Sequence, residues 1–327
     1  MLADRRQAWS VIDPLTDLAT VPATPIHPAV VAGRAPLAPV VTDLIHVPDG
    51  TLDGSWRWRP TEADDLELRC GSYAIHEGLE RAIGEIAVGR DGGSGGAGGV
   101  GPAVPALGAM TEARWDLRGV LAGLAAETWD ADPGRGEWTV RQTMGHIFGG
   151  QLSYSWCNAW YLANSLPVGI AARPPESVFP PEPTEDELAT GSPRRGGRQA
   201  RHDRGCLDHR ERRARWAVPG DCCPLVGSPV SIGFRLGRYG SHIREHTVQV
   251  DKTLAILRRE PTEAERLVRM ILATYGRLEA LVIGRPIADL DRPLGSGASP
   301  VEILGAALTD AEATATSVRA ASASNHA

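Results

Sequence analysis

The chain of 327 residues lacks the features that define several common classes of protein. Its five cysteines are odd in number and contain no CxxC pair, which disfavours both a disulfide framework and a zinc ribbon. No apolar run approaches the roughly 18 residues of a membrane span, and residues 1–20 lack the apolar core of a signal peptide. We therefore expect a cytoplasmic protein with no membrane partner.

An excess of positive charge is also missing from the chain as a whole. The formal net charge is −6 and the isoelectric point lies near 5.9. A general binder of polyanions needs a broad basic face, so nucleic acid is a disfavoured partner. A small-molecule substrate or a thiol is the favoured one, and a homodimer is compatible with this composition.

Helical patterns dominate what the sequence does contain. Hydrophobic residues make up 42% of the chain, enough for one large domain or two small ones. Strand signals are scarce, and the pattern predicts an all-α helical bundle. Apolar residues recur at helical spacing over residues 61–88, 110–126, 137–164, 233–260, 261–284 and 300–320. Candidate N-cap residues are Thr61, Thr111, Thr139 and Thr262, the last with Glu265 at N3.

Changes in composition along the chain predict four successive parts. The second part is rich in glycine, which is typical of a flexible linker. The first part is predicted to be irregular as far as residue 60 and helical after it. The parts are an N-terminal extension (1–89), a linker (90–106), the helical bundle (107–284), and a C-terminal helix with a polar tail (285–327).

One stretch departs from the helical pattern. Residues 191–215 contain nine arginines and three acidic residues, with almost no apolar residue. An arginine-rich arm that binds nucleic acid would be oriented by interleaved aromatic residues or an apolar face, and neither is present in this stretch. Residues 191–227 are therefore interpreted as an anomalous arginine-rich loop or as a segment encoded by a shifted reading frame, in preference to a nucleic-acid-binding arm.

The segment SHIREHTVQV, residues 241–250, places two histidines four positions apart. On a helix, His242 and His246 lie on one face with Cβ atoms about 6 Å apart, close enough to bind one metal ion. The same spacing also arises by chance on ordinary helices, and two imidazoles alone do not hold a metal tightly. A metal site at this position therefore requires a third ligand.

His146 is the candidate for the third ligand. It lies in TVRQTMGHIFGG, within the helix predicted over 137–164, where the alternative is a core histidine bonded to a backbone carbonyl. Three glycines within four residues of it weaken the helix by about 1 kcal/mol each, which suggests close packing or room for a ligand. Together with the histidine pair, His146 would supply three nitrogen ligands inside a bundle and leave a coordination position open.

The same segments resemble a known family. EWTVRQTMGHIFGGQLSY resembles the segment that leads to the first metal histidine of the DinB/YfiT-like proteins, and RYGSHIREHTVQVDKTL resembles their HxxxH helix. The resemblance covers roughly residues 108–284. It implies a DinB-like up-and-down helical bundle, here with an irregular or helical N-terminal extension and additional C-terminal helices. It also implies a divalent metal held by His146, His242 and His246, and a relation to transferases and isomerases that use mycothiol or bacillithiol.

Further residues on the HxxxH helix are candidates for chemistry at such a site. Zinc, nickel or iron bound there would lower the pKa of a bound water or thiol. Arg238, one turn before His242, could bind a carboxylate or the anion of a low-molecular-weight thiol, or could be structural. Gln249 and Glu245 could orient a ligand histidine or move a proton, although Glu245 lies about 60° around the helix from His242.

Two hypotheses about function follow. The first is a metal-dependent enzyme, of the thiol-dependent transferase or isomerase type or a hydrolase, that activates a thiol or water at the three-histidine site. The second is a non-catalytic metal-binding module, associated with stress or with protein interaction. A pocket for an anionic thiol near Arg238, beside the open metal position, would favour the first hypothesis, and a closed apolar surround would favour the second.

Overall fold

The computed structural model describes residues 26–57, 65–91, 103–164, 222–225 and 228–325. Within these residues the chain is mostly helical, as predicted. Thr61, the middle of the predicted linker and the arginine-rich residues 191–215 lie outside the described residues. The helices are α1 Pro28–Gly33, α2 Leu37–Ile45, α3 Arg69–Asp91, α4 Ala103–Leu121, α5 Ala126–Asp130, α6 Val140–Asn164, α7 Ile232–Ile256, α8 Glu263–Val282, α9 Ile287–Leu290 and α10 Pro300–Ser324. The strands are β1 Ser55–Trp56, β2 Leu66–Glu67, β3 Cys222–Leu225 and β4 Ser228–Ser231.

The described residues divide into two compact units. The predicted four-part division follows the chain order, whereas each unit combines segments that are distant in sequence. The histidine unit comprises the described residues of 103–110, 124–164, 222–225 and 228–259. The arginine unit comprises the described residues of 26–57, 65–91, 111–123 and 260–325.

The histidine unit is built on two long antiparallel helices, α6 and α7. Thr253, near the end of α7, donates a hydrogen bond from Oγ1 to the carbonyl oxygen of Trp138, just before α6, at 3.1 Å. Gln151, within α6, donates from Nε2 to the carbonyl oxygen of Tyr239, near the start of α7, at 3.1 Å. Both helices bury apolar side chains, and each buried side chain contributes about 1.5–3 kcal/mol. These side chains are Val140, Met144, Ile147 and Phe148 of α6 and Ile243, Val250 and Leu254 of α7.

Local signals determine where α6 begins. Thr139 Oγ1 accepts a hydrogen bond from the backbone N–H of Gln142 at 3.1 Å, and Gln142 Oε1 accepts from the backbone N–H of Thr139 at 3.0 Å. This reciprocal pair is a capping box, and it confirms the predicted N-cap at Thr139. Arg141, in the first turn of α6, pairs with Asp130 at 2.5 Å and so ties α5 to α6.

A short hairpin leads into α7. Strands β3 and β4 are antiparallel, with Cys222 opposite Ser231 and Leu225 opposite Ser228. The prediction of a loop over all of residues 191–227 is therefore wrong for β3. Pairing with β4 supplies hydrogen-bond partners for the backbone groups of β3, and such long-range pairing was not predicted from the sequence.

The arginine unit is built around α3, which packs against both α8 and α10. At one end of α3, Arg69 donates to Glu263 of α8 at 2.7 Å, and further along His76 Nδ1 lies 2.9 Å from Thr274 Oγ1. Helices α3 and α8 therefore run in the same direction. The start of α8 is the predicted one, because Thr262 and Glu265 form a capping box.

Three predicted boundaries in the arginine unit are wrong. Residues 28–45 form α1 and α2 rather than irregular chain; Pro28 stands at the start of α1, and Val30 is among the buried residues. The helix predicted from residue 61 begins at Arg69, because Leu66 and Glu67 pair with Trp56 and Ser55. Thr111 is not an N-cap, since α4 begins at Ala103 and Thr111 lies buried inside it.

Residues Pro28–Ile45 also qualify, by length and composition, as one candidate membrane span among the described residues. This candidate was not predicted from the sequence. The core helices of many proteins pass the same test, and here the stretch consists of two helices separated by a turn at residues 34–36. Its buried apolar side chains are Val30, Leu37, Val40, Val41 and Leu44, and Asp43 is buried with them.

Candidate metal centre

The structure brings the three predicted histidines together in the histidine unit. His146 lies on α6, two turns after the capped start of the helix, and His242 and His246 lie one turn apart on α7. Their ligand nitrogens all lie within 4.8 Å of one another. The antiparallel packing of α6 against α7 therefore joins residues that are 96 positions apart in the sequence.

The separations of the nitrogens suit a common ion. Nε2 of His146 lies 3.4 Å from Nε2 of His242. Two nitrogens bound to one ion at about 2.05 Å, in tetrahedral geometry, are separated by about 3.3 Å. The ring centroid of His246 lies 4.6 Å from that of His146 and 4.5 Å from that of His242. The three residues therefore fit a divalent ion as a three-nitrogen donor set, which the chemistry of imidazole favours.

Gly150 is needed for His242 to occupy its place. A Cβ built on Gly150 would lie 3.0 Å from Nε2 and 3.1 Å from Nδ1 of the His242 ring, and closer still to Cε1. Real Cβ atoms are rarely found so near to other heavy atoms. The glycine, predicted from the sequence to permit close packing or a ligand, lets the imidazole lie against the backbone of α6.

Burial keeps His242 and His246 in the neutral form that binds metals. The side chain of His242 is buried, and this burial, followed by the positive charges of His246 and His146, lowers its pKa from 6.5 to about 4. Burial also lowers the pKa of His246, against the raising effect of its hydrogen bond to Gln249. Both imidazoles are therefore uncharged near pH 7, with a lone pair available.

One further contact orients a histidine ring. Gln249 Oε1 lies 2.7 Å from Nδ1 of His246. A proton on Nδ1 donates to this oxygen, and the lone pair of the ring is then on Nε2, as ligation through Nε2 requires. Nδ1 of His242 is buried and has no hydrogen-bond partner among the residues that the structure describes.

Aromatic side chains flank the histidines on two sides. The Trp138 ring centroid lies 4.9 Å from that of His146 and stacks on His246 at 6.5 Å, with the ring planes 18° apart. Tyr154 lies edge-on to His242 at 5.3 Å. Neither Trp138 nor Tyr154 was among the residues predicted for the site. The position of Trp138 directly before an N-cap and two turns from His146 is a signal that could have identified it.

Arg238 lies beside the centre and is paired with Glu245. Arg238 Nη1 donates to Glu245 Oε1 at 2.6 Å and Nη2 donates to Oε2 at 3.1 Å. This bond raises the pKa of Arg238 and lowers that of Glu245. The Glu245 side chain is 53% exposed and that of Arg238 is 25% exposed, so the pair is worth about 1 kcal/mol or less. An anionic ligand could displace Glu245 at that modest cost.

Comparisons of the chain with protein-family models, with curated proteins and with solved structures found no match. The arrangement of the three histidines therefore carries the functional argument.

Proposed function

We propose that the histidine unit binds one divalent metal ion through Nε2 of His146, His242 and His246. The observation that carries the proposal is the convergence of three imidazole nitrogens to within 4.8 Å from two helices. Neutral histidines in a partly buried setting, one of them oriented by Gln249, support it further. Zinc, nickel and iron all suit this donor set.

We further propose that the site is catalytic and belongs to a DinB-like metal-dependent enzyme of the thiol-dependent transferase or isomerase type. Three protein ligands leave a coordination position open, and an ion bound there would lower the pKa of a water or thiol. Trp138 and Tyr154 flank the histidines and would exclude bulk water from either side. Arg238 would bind the anionic group of a small thiol in place of Glu245.

The alternative is a non-catalytic metal-binding module. Its supporting observation is the same Arg238–Glu245 pair, which occupies the guanidinium that an anionic thiol would need. Under this alternative the pair is structural, and removal of Glu245 leaves small thiols without affinity for the protein. The Glu245→Gln variant therefore separates the two functions: it strengthens binding of a small anionic thiol in the enzyme and has no such effect in the module.

The metal is tested by the metal content of the purified chain and by titration with zinc in competition with a chromophoric chelator. Wild-type protein should bind one equivalent, and His146→Ala should lose at least about 100-fold in affinity. His76→Ala is the matched control, because His76 lies in the arginine unit and bonds to Thr274. If His146→Ala is folded by circular dichroism and binds zinc with the same affinity as the wild type, His146 is not a ligand of the site.

A further inference from the structure

Tyr154 of α6 connects a proposed metal ligand to the arginine beside it. Its ring lies edge-on to that of His242, with the ring centroids 5.3 Å apart. Arg238 donates a hydrogen bond to its hydroxyl oxygen, and the pKa of Arg238 is raised first by the bond to Glu245 and further by this one. The side chain of Tyr154 therefore reaches from the three histidines to the guanidinium.

The hydroxyl of Tyr154 keeps one proton available for donation. A phenolic hydroxyl offers one donor and two acceptor lone pairs, and the bond from Arg238 uses only a lone pair. The proton has no acceptor among the residues that the structure describes. Tyr154 is half-buried, and a hydrogen bond is electrostatically stronger where water is partly excluded. A ligand that accepts this proton would gain a bond that the unliganded protein does not make.

Glu245 shows which anion the guanidinium accepts. Its two oxygens bind Nη1 and Nη2 of Arg238 side by side, at 2.6 and 3.1 Å, in the bidentate geometry of an arginine with a carboxylate. At about 100° per residue, Glu245 lies about 20° to one side of Arg238 on α7, and His242 lies about 40° to the other side. A carboxylate that approaches from the side of His242 would meet Arg238 and Tyr154 together.

The guanidinium of Arg238 can be reached from solvent. The side chain of Arg238 is 25% exposed and that of Glu245 is 53% exposed. A ligand therefore binds at the surface of the histidine unit, and the displaced carboxylate of Glu245 returns to water. Because exchange of one carboxylate for another leaves the charge on the guanidinium compensated, the additional bond from Tyr154 decides which one is preferred.

We propose that Tyr154 selects the ligand of the centre, and that this ligand is a small thiol that carries a carboxylate. The carboxylate replaces Glu245 on Arg238 and accepts a further hydrogen bond from the hydroxyl of Tyr154. The sulfur of the same molecule then lies at the open coordination position beside His242. The assignment rests on the proposed function, to which it adds the class of thiol and the residue that recognises it.

The test uses zinc-loaded full-length protein and calorimetric titration with two thiols. Mercaptoacetate carries the carboxylate, and mercaptoethanol is its uncharged counterpart. Wild type should bind mercaptoacetate at least about tenfold more tightly, because hydrogen bonds to a charged group are the strong ones. Tyr154→Phe keeps the ring against His242 and should lose about tenfold in mercaptoacetate affinity, with zinc and mercaptoethanol affinities within about twofold of wild type. Tyr73→Phe, which changes an exposed tyrosine of the arginine unit, is the matched control and should alter none of them.

A second measurement follows the hydroxyl itself. The protein contains five tyrosines, and each can be labelled with carbon-13 at Cζ. The NMR signal that is absent from Tyr154→Phe should shift on addition of mercaptoacetate and should not shift with mercaptoethanol. The same shift should occur in Glu245→Gln, because the hydroxyl bonds to the ligand and not to Glu245.

The outcomes separate this proposal from the proposed function. If zinc binding requires His146 but mercaptoacetate binds no better than mercaptoethanol, the ligand class is wrong and the metal site stands. If mercaptoacetate affinity is unchanged in Tyr154→Phe, or the Tyr154 signal does not shift, Tyr154 does not recognise the ligand. If zinc binds equally to His146→Ala and wild type, the proposed function fails and this proposal fails with it.

Discussion

Replacement of Gly150 by alanine tests whether the packing of α6 against α7 controls metal binding. The Cβ introduced by Gly150→Ala would lie 3.0 Å from Nε2 and 3.1 Å from Nδ1 of His242, and nearer still to Cε1. Carbon atoms pack best at about 3.5–4.0 Å, so the imidazole must retreat by about 1 Å. Ligand distances in metal sites are tolerated only to within about 0.2 Å, so the ion would lose His242 as a ligand.

The magnitude follows from the loss of one ligand in three. Zinc affinity should fall by at least about 100-fold. This decrease equals or exceeds the decrease in affinity caused by mutation of a residue that only orients a ligand. The folded state should not suffer equally, because alanine is favoured over glycine inside a helix by about 1 kcal/mol. The variant is thus expected to lose metal affinity while its metal-free form remains folded.

Gly237→Ala is the matched control on α7. A Cβ at Gly237 meets no heavy atom of the described residues within 4 Å, so this substitution should raise stability by up to about 1 kcal/mol and leave zinc affinity unchanged. The assays are zinc titration against a chromophoric chelator and urea unfolding of the metal-free proteins. Zinc affinity within twofold of wild type in Gly150→Ala would refute the argument, since His242 would then bind no metal or would not depend on this contact.

Three more predictions concern the two units. Metal-free wild-type protein should lose stability as the pH falls from about 6.5 to about 4, because His242 takes up a proton at its ordinary pKa of 6.5 in the unfolded chain and only near 4 in the folded one. The loss is on the order of 3 kcal/mol at most, and the free energy of unfolding of His242→Leu, measured in urea, should depend less steeply on pH. Gln249→Leu removes the acceptor at His246 and should weaken zinc binding by about 10–100-fold, whereas Gln249→Glu, which keeps an acceptor, should not; equal affinities in a chelator competition would contradict the orienting role. Thr262→Ala removes the capping box of α8 and should cost about 1 kcal/mol in thermal unfolding, with zinc affinity unchanged.

The parts of the site that could be predicted from sequence are those set by local geometry. A spacing of four residues places His242 and His246 on one face of any helix, and Thr139 followed by Gln142 marks the start of α6. The helices α6, α7 and α8 could be predicted as well, because hydrophobic periodicity also depends only on residues close in sequence. The pairing of His146 with the helix that carries His242 and His246 was inferred from the order of the two motifs along the chain. The structure brings the three residues together as expected.

Tertiary contacts account for what sequence reasoning missed. Leu66 fits a helical pattern but lies in a strand, because pairing with Trp56 decides its conformation. Tyr154 was not predicted to belong to the site, because only the approach of α7 places it beside a histidine. The pairing of Arg238 with Glu245 had a sequence signal, since residues seven positions apart share a helix face, but its competition with a ligand at Arg238 emerges only from the contact itself.

An ion held between α6 and α7 would act as a cross-link that closes a loop of 96 residues. The entropy lost in closing a long loop grows only with the logarithm of its length, so halving the intervening chain would change the closure free energy by about 0.6 kcal/mol. Metal affinity would then change by less than threefold, because 1.4 kcal/mol corresponds to a factor of ten. The packing of the two helices, and not the length of the chain that connects them, would set the affinity.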